Sequence, residues 1–172
     1  MKLPAQLDAL SLRRAISSDC DQVYHWANDP LTRQASFESA AIPYADHVRW
    51  FTQILADPTR QLFMAELAAM SPSVARVPLG VVRFAVAETV AAAVISINLA
   101  PERRGGGMAR RLLGAATSEA SALGYLRIDA YIRPGNLASI RSFEAAGYEL
   151  VEESTRRGRA ERLYRLQLVT AP

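Results

Sequence analysis

The sequence predicts one α/β domain (α+β in the way its helices are grouped) with about seven strands and about four helices. Two observations carry this. Apolar residues alternate in short runs or recur at helical spacing, in the order βααβββαβαββ, without an internal repeat or a linker. One stretch, Val94 to Gly147, joins an apolar run, a glycine-dense turn and an amphipathic helical run. At 172 residues, 50% hydrophobic and 22% charged, the chain is long enough to bury one core and has a globular composition. Residues 1–172 therefore read as a single domain.

The elements follow in order. Leu10 to Arg14 alternates as a strand. Asp19 and Asp21 open a helix that runs to about Ala27 and ends at Asn28-Asp29-Pro30, because the residue before proline is pushed out of helical geometry. Thr32 to Ile42 reads as an irregular connector. Tyr44 to Ala56 is a second helix, with Val48, Phe51, Ile54 and Leu55 on one face, closed by Asp57-Pro58. Strands follow at Gln61 to Ala68, Pro78 to Ala87 and Ala91 to Leu99, with a turn at Ser71-Pro72-Ser73. Met108 to Leu123 is a helix whose stripe is Leu112, Leu113, Ala116, Ala120 and Leu123, stopped by Gly124. Leu126 to Ile132 is a strand, Asn136 to Ala146 a helix, and Tyr148 to Ser154 pairs with Arg162 to Val169 as a hairpin. The arginine knot at Arg156-Arg157-Gly158-Arg159 reads as its solvated turn.

Charge and cysteine usage narrow the function. The net charge is +3, and the basic residues are dispersed or gathered at turns, which argues against a nucleic-acid partner. One cysteine, Cys20, permits no internal disulfide, and two histidines, His25 and His47, offer no metal-ligand spacing. No signal peptide and no apolar run of membrane-spanning length is visible, so the expectation is a cytoplasmic protein without a membrane partner.

The glycine turn is the most informative feature. Arg103-Arg104-Gly105-Gly106-Gly107 sits between a strand and a helix start. Glycines allow a ligand close to the backbone, and the first helical N–H groups with the helix dipole favour an anion. A Walker loop is excluded, since the chain's one lysine is Lys2. The dinucleotide pattern G-x-G-x-x-G fails because Arg110 stands at the third glycine.

Arg104-Gly-Gly-Gly107-Met-Ala109 resembles the R/Q-x-x-G-x-G/A motif of the GNAT family, the acetyl-CoA-dependent N-acetyltransferases. Asn136-x-x-Ser139-x-x-x-Phe143-Glu144-x-x-Gly147-Tyr148 is similar to the family's N-x-x-S-x-x-x-Y-E-K-x-G-F segment, one helix and one strand later. The resemblance covers roughly Leu79 to Leu150. It implies a mixed, mostly antiparallel sheet with a parallel pair, Val94–Leu99 and Leu126–Ile132, splayed at a bulge. It also implies acetyl-CoA held by the N–H groups of Arg104, Gly105, Gly106, Gly107, Met108 and Ala109, and by the backbone of Ile97, Asn98 and Leu99. Ser139, Asn136 and Phe143 would complete the cofactor site; Asn136 serves as a helix cap, as a cofactor contact, or as both.

Proton transfer is less clearly written. Phe143 stands where many family members carry a tyrosine, so Tyr131 or Tyr148 would have to donate to the leaving thiolate, or the thiolate leaves unprotonated. The general base is expected at His47 or Glu38, with Asp29 another acidic group of the connector.

For the acceptor, Asn28, Arg33, Trp50, Arg83 and Ser96 are the candidates. Trp26-Ala-Asn28-Asp29-Pro30, Ser36, His47-x-x-Trp50-Phe51, Gly80-Val-Val-Arg83-Phe84 and Ile95-to-Leu99 are similar to the family branch that acetylates the 4-amino group of a UDP-linked deoxysugar in nonulosonic acid synthesis. Arginine geometry would suit its diphosphate, at Arg33 or Arg83. Trp26-Ala-Asn28-Asp29 also resembles the branch that acetylates N-terminal alanine of ribosomal proteins. A non-catalytic acyl-CoA-binding module is the reading from another class. The last hairpin offers an edge at which a homodimer could form.

Overall fold

A computed structural model describes residues 10–67, 76–89 and 91–168, and the expected turn at Ser71-Pro72-Ser73 lies outside them. Seven strands form one sheet: β1 (Leu10–Arg14), β2 (Arg60–Leu67), β3 (Val77–Val86), β4 (Ala92–Leu99), β5 (Arg127–Ile132), β6 (Glu149–Arg156) and β7 (Arg159–Gln167), in the spatial order β1-β2-β3-β4-β5-β7-β6. Every neighbouring pair is antiparallel except β4 and β5. The described helices are α1 (Cys20–Ala27), α2 (Pro30–Ala35), α3 (Tyr44–Ala56), α4 (Met108–Ala122) and α5 (Leu137–Ala145).

Alternation along the strands builds two cores. Phe63, Ala65, Val82, Phe84, Ile95, Ile128 and Ala130 point to one face. There they pack under Leu112, Leu113, Ala116 and Ala120 of α4 and Ile140 and Phe143 of α5. Leu62, Met64 and Val81 point to the other face, under Val23 and Trp26 of α1 and Phe51 and Ile54 of α3. The stripe read from Met108 to Leu123 is therefore the buried one, with Leu123 partly buried beside it.

Three differences from the sequence reading bear on the site. The connector contains a fifth helix: the Asp29 carboxylate caps the Thr32 amide at 2.9 Å, and Pro30 takes the first helical position. The proline that ends α1 also begins α2. The final hairpin is tighter than expected: β6 and β7 run to Arg156 and Arg159, and only Arg157 (φ 52°) and Gly158 (φ 75°) turn the chain, both at positive φ as in a type I′ turn. The bulge is also elsewhere. β3 and β4 pair without interruption from Val86↔Ala93 to Gly80↔Leu99, whereas register shifts lie in β2 between Ala65 and Glu66 and in β6 between Leu150 and Glu152.

Candidate active site

The parallel pair opens as the resemblance implies. β4 and β5 pair at Ala92↔Arg127, Ala93↔Ile128 and Val94↔Asp129, and no further. Beyond Val94, β4 keeps its bonds to β3 while β5 keeps its bonds to β7 out to Ile132↔Arg162. The edge of residues 95–99 that faces β5 is left without a strand partner among the described residues. Asp129 closes the fork from below, buried and bonded to Arg165 at 2.7 and 3.1 Å and paired with Arg127 at 3.2 Å.

A cleft of about 780 Å³ fills this fork, and its lining comes from both faces of the sheet. On the α4/α5 face it is bounded by Ile97, Leu99, Gly105, Gly107, Met108, Ala109, Asn136, Ser139 and Phe143. On the opposite face it is bounded by Arg83, Ser96, Asn98 and Tyr131 of the strands and by Thr32, Ser36 and Phe37 of α2 and the strap after it. Parity explains the partition: Ile95 and Ala130 are core residues of the first face, so Ser96 and Tyr131 must point to the second. The cleft is a passage through the sheet.

At the first mouth, Gly105, Gly106 and Gly107 all hold positive φ (88°, 58° and 75°), which a side chain would resist by roughly 1–2 kcal/mol each. No atom lies within 4 Å of a Cβ built on any of them, so glycine is required by the backbone angle rather than by crowding, and the space before it is open. The Met108 amide bonds back to Gly105 O, and Arg111 N–H to Gly107 O. Among the described residues, the amides of Gly106, Gly107, Ala109 and Arg110 reach no backbone carbonyl. They form a donor cluster at the start of α4, which fits the pyrophosphate of coenzyme A. Asn136 caps α5 by accepting the Ser139 amide at 3.2 Å and still lines the cleft, so capping and site placement hold together.

The Arg104 side chain turns away from this mouth. Its Nη2 lies 2.6 Å from Asp29 Oδ2 and donates to Thr32 Oγ1 at 2.7 Å, while Thr32 Oγ1 lies 3.2 Å from Asn98 Oδ1. This network ties α2 to the glycine turn and to β4. Burial pushes the Asp29 carboxyl up, but the Thr32 amide and the Arg104 guanidinium outweigh it and hold it below the usual range. Thr32 and Arg133 are site residues that the sequence reading missed. Arg133 lines the cleft and donates to the carbonyls of Gln34 (2.9 Å) and Ser36 (2.7 Å).

Several expected residues are not brought to the cleft. His47 is buried in the α1/α3 core, stacked among Tyr24, Trp50 and Phe51 with Nε2 3.0 Å from Cys20 O, and burial lowers its pKa. Its geometry explains it as a packing residue and gives it no path to an amine. Glu38 is exposed and gripped by Arg159, which holds its carboxylate below the usual range. Asn28 clasps Ile42 through both backbone groups (3.0 and 2.8 Å) and Trp50 packs on the core, so neither lines the cleft. Arg33 bonds Ser36 Oγ (2.9 Å) and Glu38 O (3.2 Å), bracing the strap that follows α2. Tyr148 packs edge-on against Phe143 at 4.9 Å, and its burial pushes the phenol pKa up, which suits it poorly to donate a proton. Tyr131 is the tyrosine that does line the cleft.

A passage with a cluster of unpaired backbone donors at a glycine turn on one face and arginines at the mouth on the other has room for two ligands that meet at the fork. The chain belongs to the GNAT acetyltransferases: the family model described as "Acetyltransferase (GNAT) domain" matches residues 9–149. No curated protein matches it in sequence. Solved structures share the fold. Aminoglycoside acetyltransferase AAC(6')-Ib with paromomycin and acetyl-CoA is 21% identical, with a TM-score of 0.78 over 93% of this chain and 94% of that one. Spermidine N-acetyltransferase from Vibrio cholerae with CoA and spermine is 18% identical, with a TM-score of 0.79 over 92% and 95%. The Salmonella typhimurium protein yncA with acetyl-CoA is 22% identical, with a TM-score of 0.69 over 95% and 96%.

Proposed function

We propose that this protein transfers an acetyl group directly from acetyl-CoA to a primary amine, the favoured acceptor being a nucleotide-linked 4-amino-deoxysugar. The observation that carries the reading is the single cleft joining the glycine turn to the α2 side through the β4–β5 fork. Acetyl-CoA supplies the acetyl group activated as a thioester. The amides at the start of α4 hold its phosphates, and the open edge of residues 95–99 offers backbone donors and acceptors to its extended arm. Ser139 and Asn136 bound that arm from α5. Phe143 contributes only an apolar wall.

Tyr131 is the cleft-lining residue suited to carry a proton, because no aspartate, glutamate or histidine lines the cleft among the described residues. Ser96 and Asn98, beside Arg83 on the same face, are placed to orient the acceptor. A diphosphate would meet arginine there, which favours the nucleotide sugar over an N-terminal peptide.

The test is thiol release from acetyl-CoA with a UDP-4-amino-sugar and, in parallel, with peptides bearing N-terminal alanine or serine. Turnover with the sugar nucleotide is expected. Turnover with the peptides alone would move the protein to the N-terminal acetyltransferases, and CoA binding without turnover on any amine would make it a binding module.

A further inference from the structure

We propose that the acceptor is an anionic amine and that Arg83 grips its oxyanion, a phosphate or a carboxylate, on the α2 side of the sheet. This rests on the acetyltransferase reading but not on its choice of sugar. Arg83 lies on β3 opposite Ser96 of β4, two residues past the point where the fork opens. Its side chain lines the cleft, and among the described residues it makes no hydrogen bond and no ion pair. A half-buried guanidinium without a counter-ion is costly to keep, and the charge that acts on it is another cation, Arg60, itself paired with Asp57 at 3.1 Å. An arginine kept only for its aliphatic stem would send its head to open water. This one lines the cleft and is half-buried.

The rest of that mouth has the same sign. Arg133 lines it, with its donors on two backbone carbonyls, and Arg104 lines it from the turn. Among the described residues no carboxylate lines the cleft: Asp29 is taken up by Arg104 and Glu38 by Arg159. The solved structures of this fold with paromomycin and with spermine hold polycations. Such a ligand would set its ammonium groups beside Arg83 and Arg133, with no cleft-lining carboxylate among the described residues to receive them. An amine that carries a phosphate or a carboxylate would instead supply the missing counter-ion, and a guanidinium fork fits two of its oxygens at once.

Matched acceptors test this with acetyl-CoA saturating. Glucosamine 6-phosphate is compared with glucosamine, L-alanine with L-alaninamide, and spermidine and kanamycin serve as polycations. In at least one pair the anionic member should be preferred by about tenfold or more in kcat/KM, the weight of one charged hydrogen bond. Arg83→Met should remove most of that preference, and Arg83→Lys should restore part of it.

A binding arm reads the site without turnover. With CoA occupying the glycine turn, UDP or inorganic phosphate should raise the Tm of the wild type but not of Arg83→Met, whose own Tm without ligand shows whether it folds. Spermidine or kanamycin as the best acceptor, a preference that survives Arg83→Met, or no anion bound by the CoA-loaded wild type would each overturn the proposal. No thiol release with any amine, alongside phosphate binding lost in Arg83→Met, would remove the acetyltransferase reading and leave the anion site standing.

Discussion

At the scale of single residues, Gly80 and His47 show how the flanking structure fixes the fork. A Cβ on Gly80 would lie 2.5 Å from Asn98 O, a backbone atom of the strand whose far edge is open. Gly80→Ala must push that carbonyl, so stability should fall by roughly 1–3 kcal/mol, read from urea unfolding. The same shift displaces residues 98 and 99, and kcat/KM should fall with it. Gly107→Ala meets no atom but is forced to φ near 75°; it should cost about 1–2 kcal/mol and weaken CoA binding in a titration.

His47 contributes in a different way. Burial lowers its folded pKa, so it stays neutral in the core while the unfolded chain takes up a proton near pH 6.5. Its stabilising effect is complete above that pH and is lost as the pH falls below it, by up to about 1.4 kcal/mol per pH unit. Unfolding midpoints from pH 7 to pH 5 should therefore drop less steeply in His47→Phe than in the wild type. An unchanged slope would mean that His47 is already charged in the fold.

At the scale of elements, α2 is where sequence and structure part. In the sequence Asp29-Pro30 marks a stop, and it is equally a start, with a capping carboxylate followed by proline at the first helical position. The signal was present in the sequence but compatible with both readings. What tips it is tertiary: Asp29 is also the partner of Arg104, 75 positions further along the chain. The glycine turn, the α4 stripe and the Asn136 cap were legible because each depends on neighbours within a turn or two. His47, Glu38 and Arg33 lie outside the cleft lining because their helix faces and partners, Cys20 O, Arg159 and the strap carbonyls, are set by packing that no local pattern records.

The Asp29 cap yields its own test. Asp29→Ala removes the cap and leaves Arg104 without its carboxylate, and should destabilise the protein by about 1 kcal/mol or somewhat more. Asp29→Asn keeps a capping oxygen and loses only the charge. It should recover most of the stability in chemical denaturation while leaving the acceptor KM raised, because α2 is then no longer held to the turn by an ion pair.

At the scale of the molecule, the fork decides the order of chemistry. The unpaired amides of the glycine turn lie on the α4/α5 face, arginines on the α2 face, and one passage joins them, so two ligands can be present together without sharing a mouth. A covalent acetyl-enzyme would need an activated nucleophile. Thr32, Ser36, Ser96, Ser139 and Ser142 line the passage, but among the described residues no histidine or carboxylate lines it to take a proton from them, and Cys20 lies outside its lining. Direct transfer within a ternary complex is the outcome this geometry favours. Initial rates measured against acetyl-CoA at several fixed acceptor concentrations should give intersecting double-reciprocal lines. No labelled acetyl group should stay on the protein after incubation with acetyl-CoA alone. Parallel lines with a stable acetyl-protein would instead require a nucleophile that this passage does not activate.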